Sequence, residues 1–216
     1  GLPFMVMDYI QGQSLSQLLE AGQIDSIKAV NIAIDICTAL AHAHNRRVIN
    51  RDIKPSNIMI CGDIDNNFKT ILLDFGIAKI FSEPGEVSLR LTETGQVFGS
   101  PLYMSPEQCM GQNIDNRSDI YSLACVLYEC LTGSSPFRGD NFLNIIFRQV
   151  NEQPQPFAAK APYKSMQSVI FRALNKKPAD RYNNMTEFRQ NLEHCLNDLI
   201  KGAKSSLQAN LAQYSP

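Results

Sequence analysis

The chain has 216 residues, of which 44% are hydrophobic and 19% charged, with a formal net charge of −1. That is enough chain for one substantial domain with its own core. The near-zero charge gives no electrostatic reason to expect nucleic acid or an acidic membrane as partner.

Six cysteines (Cys37, Cys61, Cys109, Cys125, Cys130 and Cys195) include no Cys-x-x-Cys pair, and there are three histidines, so zinc-site spacing is absent. Most of these cysteines lie in apolar runs and read as small buried hydrophobes in a reducing compartment. No membrane segment is expected: the most apolar window, Ile32 to Ala43, is interrupted by Asp35, Thr38 and His42. The first Lys or Arg is Lys28, so the start lacks the basic region of a signal peptide, and the first residue is Gly1 rather than Met, which suggests a processed, excised or incompletely sequenced chain.

In chain order, Leu2 to Ile10 reads as a short buried strand ending in a turn at Gly12. Ser14 to Glu20 reads as a short helix stopped near Gly22. Asp25 or Ser26 caps a long helix to about His44, in which Ile27, Val30, Ile34, Cys37 and Ala41 recur at helical spacing. After a loop, Ile58 to Ile60 and Thr70 to Leu73 read as two strands joined by a polar turn. A loop-rich segment covers Ile77 to Pro106. The rest is helical: Asp119 to Leu131 capped by Ser118 and ended by Gly133, then Asn141 to Val150, Lys164 to Leu174, and a last helix capped by Thr186 and running to about Ile200. No strong periodicity marks 201–216.

The chemistry concentrates at Asn50-Arg51-Asp52-Ile53-Lys54-Pro55-Ser56-Asn57 and Asp74-Phe75-Gly76. A carboxylate that can take a hydroxyl proton, oxygen donors for a hard cation and a lysine near them are the inventory of phosphoryl transfer. In an antiparallel hairpin the start of one strand neighbours the end of the next, so Asn57 and Asp74 can reach one metal site. Pro55 biases Lys54 away from helical geometry and stiffens the loop.

On these residues the chain resembles the protein kinase superfamily. Asn50-Arg51-Asp52 is similar to its His-Arg-Asp loop, Asp74-Phe75-Gly76 to its Asp-Phe-Gly, and Ser105-Pro106-Glu107 to its Ala-Pro-Glu. Lys54-Pro55-Ser56-Asn57 resembles the Ser/Thr-specific form, and Gly99 to Gln108 the bacterial members. The resemblance implies a mainly α fold: a kinase large lobe over 14–200 with a short β-hairpin, preceded by a residual small-lobe strand and hinge over 1–13 and followed by a tail over 201–216. It implies ATP-dependent phosphorylation of protein Ser/Thr hydroxyls with ATP and Mg2+, and protein substrates. No nucleic acid partner is expected from the charge, and the expected location is cytoplasmic, with membrane anchoring of the parent outside this chain left open.

The resemblance assigns roles by position. Asp52 would be the base and Lys54 the phosphate contact, with Asn57 and Asp74 as magnesium ligands. The Asp8 carbonyl and Ile10 amide would bond the adenine edge, with Met7 behind it and Met59 as pocket floor. Glu107 and Arg181 would form a buried ion pair, and Asp119 would accept bonds from the catalytic-loop backbone. Arg51 would pair with a phosphate on Thr92 or Thr94. Ser100 keeps the hydroxyl that many members carry as Thr, whereas Asn50 stands where the family has His, which lowers the precision with which Phe75 is positioned. His42, His44 and His194 read as surface or packing residues. No Gly-x-Gly occurs in the chain, so the resemblance implies a large lobe with an orphan strand, open to pairing with another kinase copy and inactive by itself. A non-catalytic pseudokinase scaffold is the alternative; a metabolite phosphotransferase of related fold is a third.

Overall fold

The computed structural model describes residues 6–22, 24–74, 101–157 and 163–212. Within them, a helical body carries a small antiparallel sheet at the end where the Asn50 to Asn57 loop emerges. The elements are β1 (Gln13–Ser14), α1 (Leu15–Ala21), α2 (Ser26–His44), β2 (Ile58–Asp63), β3 (Asn67–Leu72), α3 (Pro106–Cys109), α4 (Asn116–Thr132), α5 (Phe142–Asn151), α6 (Tyr163–Ala173) and α7 (Met185–Ala212). Single 3-10 turns occur at Pro55–Asn57, Pro101–Tyr103 and Pro178–Asp180.

The core forms around α4. From Ser118 to Tyr128 every residue of this helix is buried, the pattern of a helix surrounded on all sides. Helix α2 packs against it and against α7, burying Ala29, Val30, Ala33, Ile36, Cys37 and Leu40. By length and apolarity α2 passes for a membrane span; its buried face against α4 and α7 is the work of a core helix. All six cysteines are free, four of them buried, and burial raises the thiols of Cys37 and Cys125 well above their ordinary range.

Several element ends differ from the sequence expectation. The strand expected over Leu2 to Ile10 is not formed at 6–10, where the backbone carries no regular structure and Val6 and Tyr9 are 86% and 91% exposed. Among the described residues no strand lies beside 6–10, so this part of the apolar run has no ladder to join. The sheet's third strand is instead β1, pairing Gln13 with Ile60 and Ser14 with Met59. Helix α4 starts earlier than expected because Asp115 caps it, accepting from Arg117 N at 2.8 Å. Ser118 faces inward and donates to Glu107 Oε1 at 2.5 Å. Helix α7 is capped by Asn184, whose Oδ1 accepts from Glu187 N at 2.9 Å, rather than by Thr186. It also continues past Ile200 to Ala212: the segment carries three Ala, two Leu and two Lys and is free of Pro, and propagation from an existing helix needs no new nucleus.

The hairpin β2–β3 sets the geometry of the site. Ile58 pairs with Leu72 and Asp63 with Asn67, around a turn at 64–66. The register places the residues just before β2 beside those just after β3. Leu73 N donates to Asn57 O at 2.8 Å, so Asn57 and Asp74 are held at the same end of the hairpin.

Candidate active site

The loop between α2 and β2 is held from beneath by one carboxylate. Asp119, buried in the first turn of α4, accepts from Asn50 N through Oδ2 and from Arg51 N through Oδ1, each at 2.9 Å. Its Oδ2 also lies 2.7 Å from His44 Nε2. These bonds fix Arg51 at φ 64, a left-handed conformation that a side chain with a Cβ seldom adopts. The turn aims the next residue, Asp52.

Asp52 is enclosed by its own loop. Its Oδ2 accepts from Lys54 Nζ at 2.8 Å and from Asn57 Nδ2 at 3.0 Å. Asn57 Nδ2 also donates to the Asp52 carbonyl at 3.0 Å. The amide nitrogen of Asn57 is thus committed to Asp52, and its Oδ1 is left for something outside the loop. Asn57 is positioned by the Pro55–Asn57 turn, in which Asn57 N donates to Lys54 O at 3.0 Å.

Asn50 joins the two motifs. It is fully buried; its Nδ2 donates to Asp74 O at 3.0 Å and its Oδ1 accepts from Asp52 N at 3.1 Å. One carboxamide therefore ties the loop to the end of β3 with both a donor and an acceptor. Asp74, at φ 48, is a second residue in the left-handed region, and its side chain is exposed.

On the other side of Asp52 lies the segment after Pro101. Gln108 Nε2 donates to Arg51 O at 3.0 Å, and Ser105 and Gln108 form a reciprocal capping box on α3. Ser122 Oγ donates to Tyr103 O at 2.7 Å, and Tyr103 OH to Glu129 Oε2 at 2.6 Å. Burial and that bond push the Tyr103 phenol well above its ordinary range. A crevice of about 10 Å³ is lined by Arg51, Asp52, Lys54, Tyr103, Met104 and Gln108.

Beneath this segment, Arg181 meets Glu107 in a two-pronged pair, Nη1 to Oε1 at 2.7 Å and Nη2 to Oε2 at 2.8 Å, with both side chains buried. Arg181 also donates to the carbonyls of Asn175, Arg117 and Lys176, so each of its N–H groups has an acceptor. Burial works to raise the Glu107 carboxyl, but the bonds from Arg181 and Ser118 outweigh it and hold it below the ordinary carboxylate range.

The segment assigned to the adenine edge is positioned by contact rather than by a strand. Asp8 is exposed and Ile10 half-buried. Gly12 lies so close to β2 that a Cβ there would stand 2.5 Å from Ile60 O. Met59, half-buried, is the neighbouring residue on β2. Phe75, Gly76, Thr92, Thr94 and Ser100 lie outside the described residues.

Sequence reasoning passed over His44, Gln108 and Gln149. His44, read as a packing residue, contacts the carboxylate that anchors the loop. Gln108 had a signal, the Ser-Pro-Glu-Gln capping box. Gln149 had none: it is fully buried in α5, accepts from Tyr121 OH at 2.5 Å, and donates to the carbonyls of Pro101 and Leu102.

A family model described as "Protein kinase domain" matches residues 3–196. Serine/threonine-protein kinase PknB of Mycobacterium tuberculosis is 39% identical over 194 residues, which cover 88% of this chain and 30% of that protein. Probable serine/threonine-protein kinase SCO3848 of Streptomyces coelicolor is 35% identical over 214 residues, covering 98% of this chain and 31% of that protein. Probable serine/threonine-protein kinase PknB of Corynebacterium glutamicum is 36% identical over 198 residues, covering 88% of this chain and 30% of that protein. The chain spans about 30% of the length of the PknB relatives. With this match over most of its length and a helical body carrying the Asn50 to Asn57 loop on a short hairpin, the chain belongs to the protein kinase domain family and has the architecture of a kinase large lobe.

Proposed function

We propose that this chain supplies the proton acceptor, the metal ligands and the peptide side of an ATP-dependent protein Ser/Thr kinase. The observation that carries the reading is the Asp52 carboxylate, held by Lys54 Nζ at 2.8 Å and Asn57 Nδ2 at 3.0 Å beside the Tyr103–Gln108 segment. The relatives' names, serine/threonine-protein kinase, support the choice of hydroxyl acceptor.

In this reading a substrate hydroxyl hands its proton to Asp52 as its oxygen bonds to the γ-phosphorus. The bond from that phosphorus to the β–γ bridging oxygen breaks, and ADP leaves with the electron pair. Lys54 neutralises charge on the transferring group. Among the described residues no three His, Cys, Asp or Glu side chains converge to hold a metal by themselves. Asn57 Oδ1 and the Asp74 carboxylate are two hard oxygen donors at one end of the hairpin. That set fits magnesium, which binds through few protein oxygens plus substrate phosphates and, when bound, neutralises phosphate charge. The reading also extends to self-association through Val6, Met7 and Tyr9, exposed ahead of β1; sedimentation at rising concentration tests it, and a monomer throughout would remove it.

The test is transfer of labelled γ-phosphate from Mg-ATP to a Ser/Thr peptide by the full-length gene product that carries this chain. Loss of transfer in Asp52→Asn, with binding of the peptide retained, is the expected result. Transfer unaffected by that substitution would overturn the reading.

A further inference from the structure

Helix α5 buries a polar residue and exposes apolar ones. Gln149 is its one buried residue, whereas Leu143 and Phe147 are 75% and 60% exposed. Burying a carboxamide is unfavourable unless its donors and its acceptor are used. Those of Gln149 are used. Nε2 donates to Pro101 O at 3.0 Å and to Leu102 O at 2.8 Å, and Oε1 accepts from Tyr121 OH at 2.5 Å. The two carbonyls can only accept, so the partners themselves settle which way the amide is turned.

The rest of the network holds Gln149 in place. Lys176 Nζ donates to Gln149 O, in the last turn of α5, at 2.7 Å. The same ammonium stands 3.4 Å from Tyr121 OH and 3.8 Å from the centre of the Phe137 ring. The carbonyls that Gln149 bonds belong to the turn that leads into the site. Tyr103 and Met104, which follow them, line the crevice beside Asp52. The next carbonyl, Tyr103 O, accepts from Ser122 Oγ at 2.7 Å. Ser135 Oγ also donates to Leu102 O, at a longer 3.5 Å. Three successive carbonyls of 101–103 are thus held by side chains of the helical body, and the turn is set before any ligand arrives.

We propose that Gln149 is a positioning residue for the peptide substrate. It acts through the 101–103 turn, against which a peptide lies with its hydroxyl at Asp52, and not on Asp52 itself. This role rests on the phosphoryl-transfer reading. A turn that shifts between positions binds peptide more weakly, because the cost of fixing it moves into the binding step. Asp52, Lys54 and Asn57 bond to one another without Gln149, so the transfer step is unaltered once the peptide is bound. The signature is a change in peptide KM with kcat retained.

The experiment is steady-state transfer from Mg-ATP by the full-length gene product, with the Ser/Thr peptide that the parent phosphorylates fastest in a degenerate mixture. Gln149→Met keeps the length of the side chain and removes its amide. Peptide KM is expected to rise about tenfold, the scale of one lost hydrogen bond, with kcat within about twofold of the parent and the KM for ATP unchanged. Tyr121→Phe removes the bond to Oε1 and is expected to raise peptide KM about threefold. A residue that only stabilised the fold would lower the melting temperature and, through the folded fraction, kcat, and would leave peptide KM where it was. Peptide KM unchanged in Gln149→Met, or in Tyr121→Phe where the first variant does not fold, would overturn the proposal and leave the phosphoryl-transfer reading standing. No transfer by the parent to any peptide of the mixture would overturn that reading and this role with it.

Discussion

Asp119 Oδ1 accepts the backbone N–H of Arg51 at 2.9 Å, and by that bond a core helix holds the residue before Asp52 in a left-handed conformation. Asp119→Ala leaves the N–H groups of Asn50 and Arg51 and the His44 ring without their acceptor. Each buried group left unpaired costs about 1–3 kcal/mol. The expected outcome is a loss of about 3 kcal/mol or more in urea unfolding, with amide exchange at Asn50 and Arg51 accelerated ahead of the rest of α4. Retained protection at both amides would show that the loop is held by something else.

The Glu107–Arg181 pair gives an acid-side signature. The Glu107 carboxyl is lowered from its ordinary 4.5, so its stabilisation is present above about that pH and is lost as pH falls through the folded-state value. Glu107→Gln removes this contribution and leaves Arg181 buried without its partner, at a cost of about 3–5 kcal/mol. Arg181→Lys is also expected to destabilise, because an ammonium cannot reach the five acceptors the guanidinium serves. Unfolding free energies from about pH 7 down to about pH 3 check both variants, with the acid limb of Glu107→Gln flatter than that of the parent.

Lys176 gives a signature of the same sign on the alkaline side. Its Nζ donates to Gln149 O at 2.7 Å and lies 3.8 Å from the centre of the Phe137 ring. Burial pulls the ammonium down from 10.5 to about 8. Between these values the unfolded chain holds a proton that the folded chain does not, so this group makes stability rise with pH from about 8 to about 10.5. Relative to Lys176→Met, the parent should gain urea stability across that window; parallel curves for the two proteins would contradict the assignment.

Gly12 is expected to reject a side chain. A Cβ at 2.5 Å from Ile60 O pushes the segment before β1 away from β2. Gly12→Ala should cost about 1–3 kcal/mol and loosen the Gln13–Ile60 pairing, seen as faster amide exchange at the β1 edge with α4 unchanged.

Helix types and most helix spans were legible in the sequence, because α1, α2 and α5 have both an apolar stripe and a capping side chain. Ser118 and Thr186 misled because both hydroxyls lie near helix starts; Ser118 is drawn inward by the Glu107 carboxylate, a contact set by tertiary packing. The Leu2 to Ile10 strand was read from apolarity, which measures what a strand buries and not whether a neighbour exists to pair with it. At the site, the Asp52, Lys54 and Asn57 cluster was readable because its members are close in sequence. Gln149 and His44 were not: their partners, Leu102 and Asp119, lie far along the chain, and a lone Gln or His in a helix carries no periodic signal.

Asn50 was legible as a departure from the family pattern but not in its consequence. Its carboxamide bonds both Asp74 O and Asp52 N, so the loop and the end of β3 are joined by a side chain shorter than the usual imidazole. The bond to Asp74 O ties the Asn50 to Asn57 loop to the backbone directly ahead of Phe75, across the chain from the helix that holds Asn50 N.

The most direct measurement is γ-phosphate transfer from Mg-ATP to a Ser/Thr peptide by the full-length gene product, comparing the parent with Asp52→Asn and Asp74→Asn. Asp52→Asn is expected to lower turnover by about 10²–10⁴, the range for loss of a positioned base. Asp74→Asn is expected to weaken activity in a way that raised magnesium partly restores. Equal turnover in all three proteins, or no transfer by the parent, would contradict the phosphoryl-transfer role and leave a non-catalytic scaffold as the role of this fold.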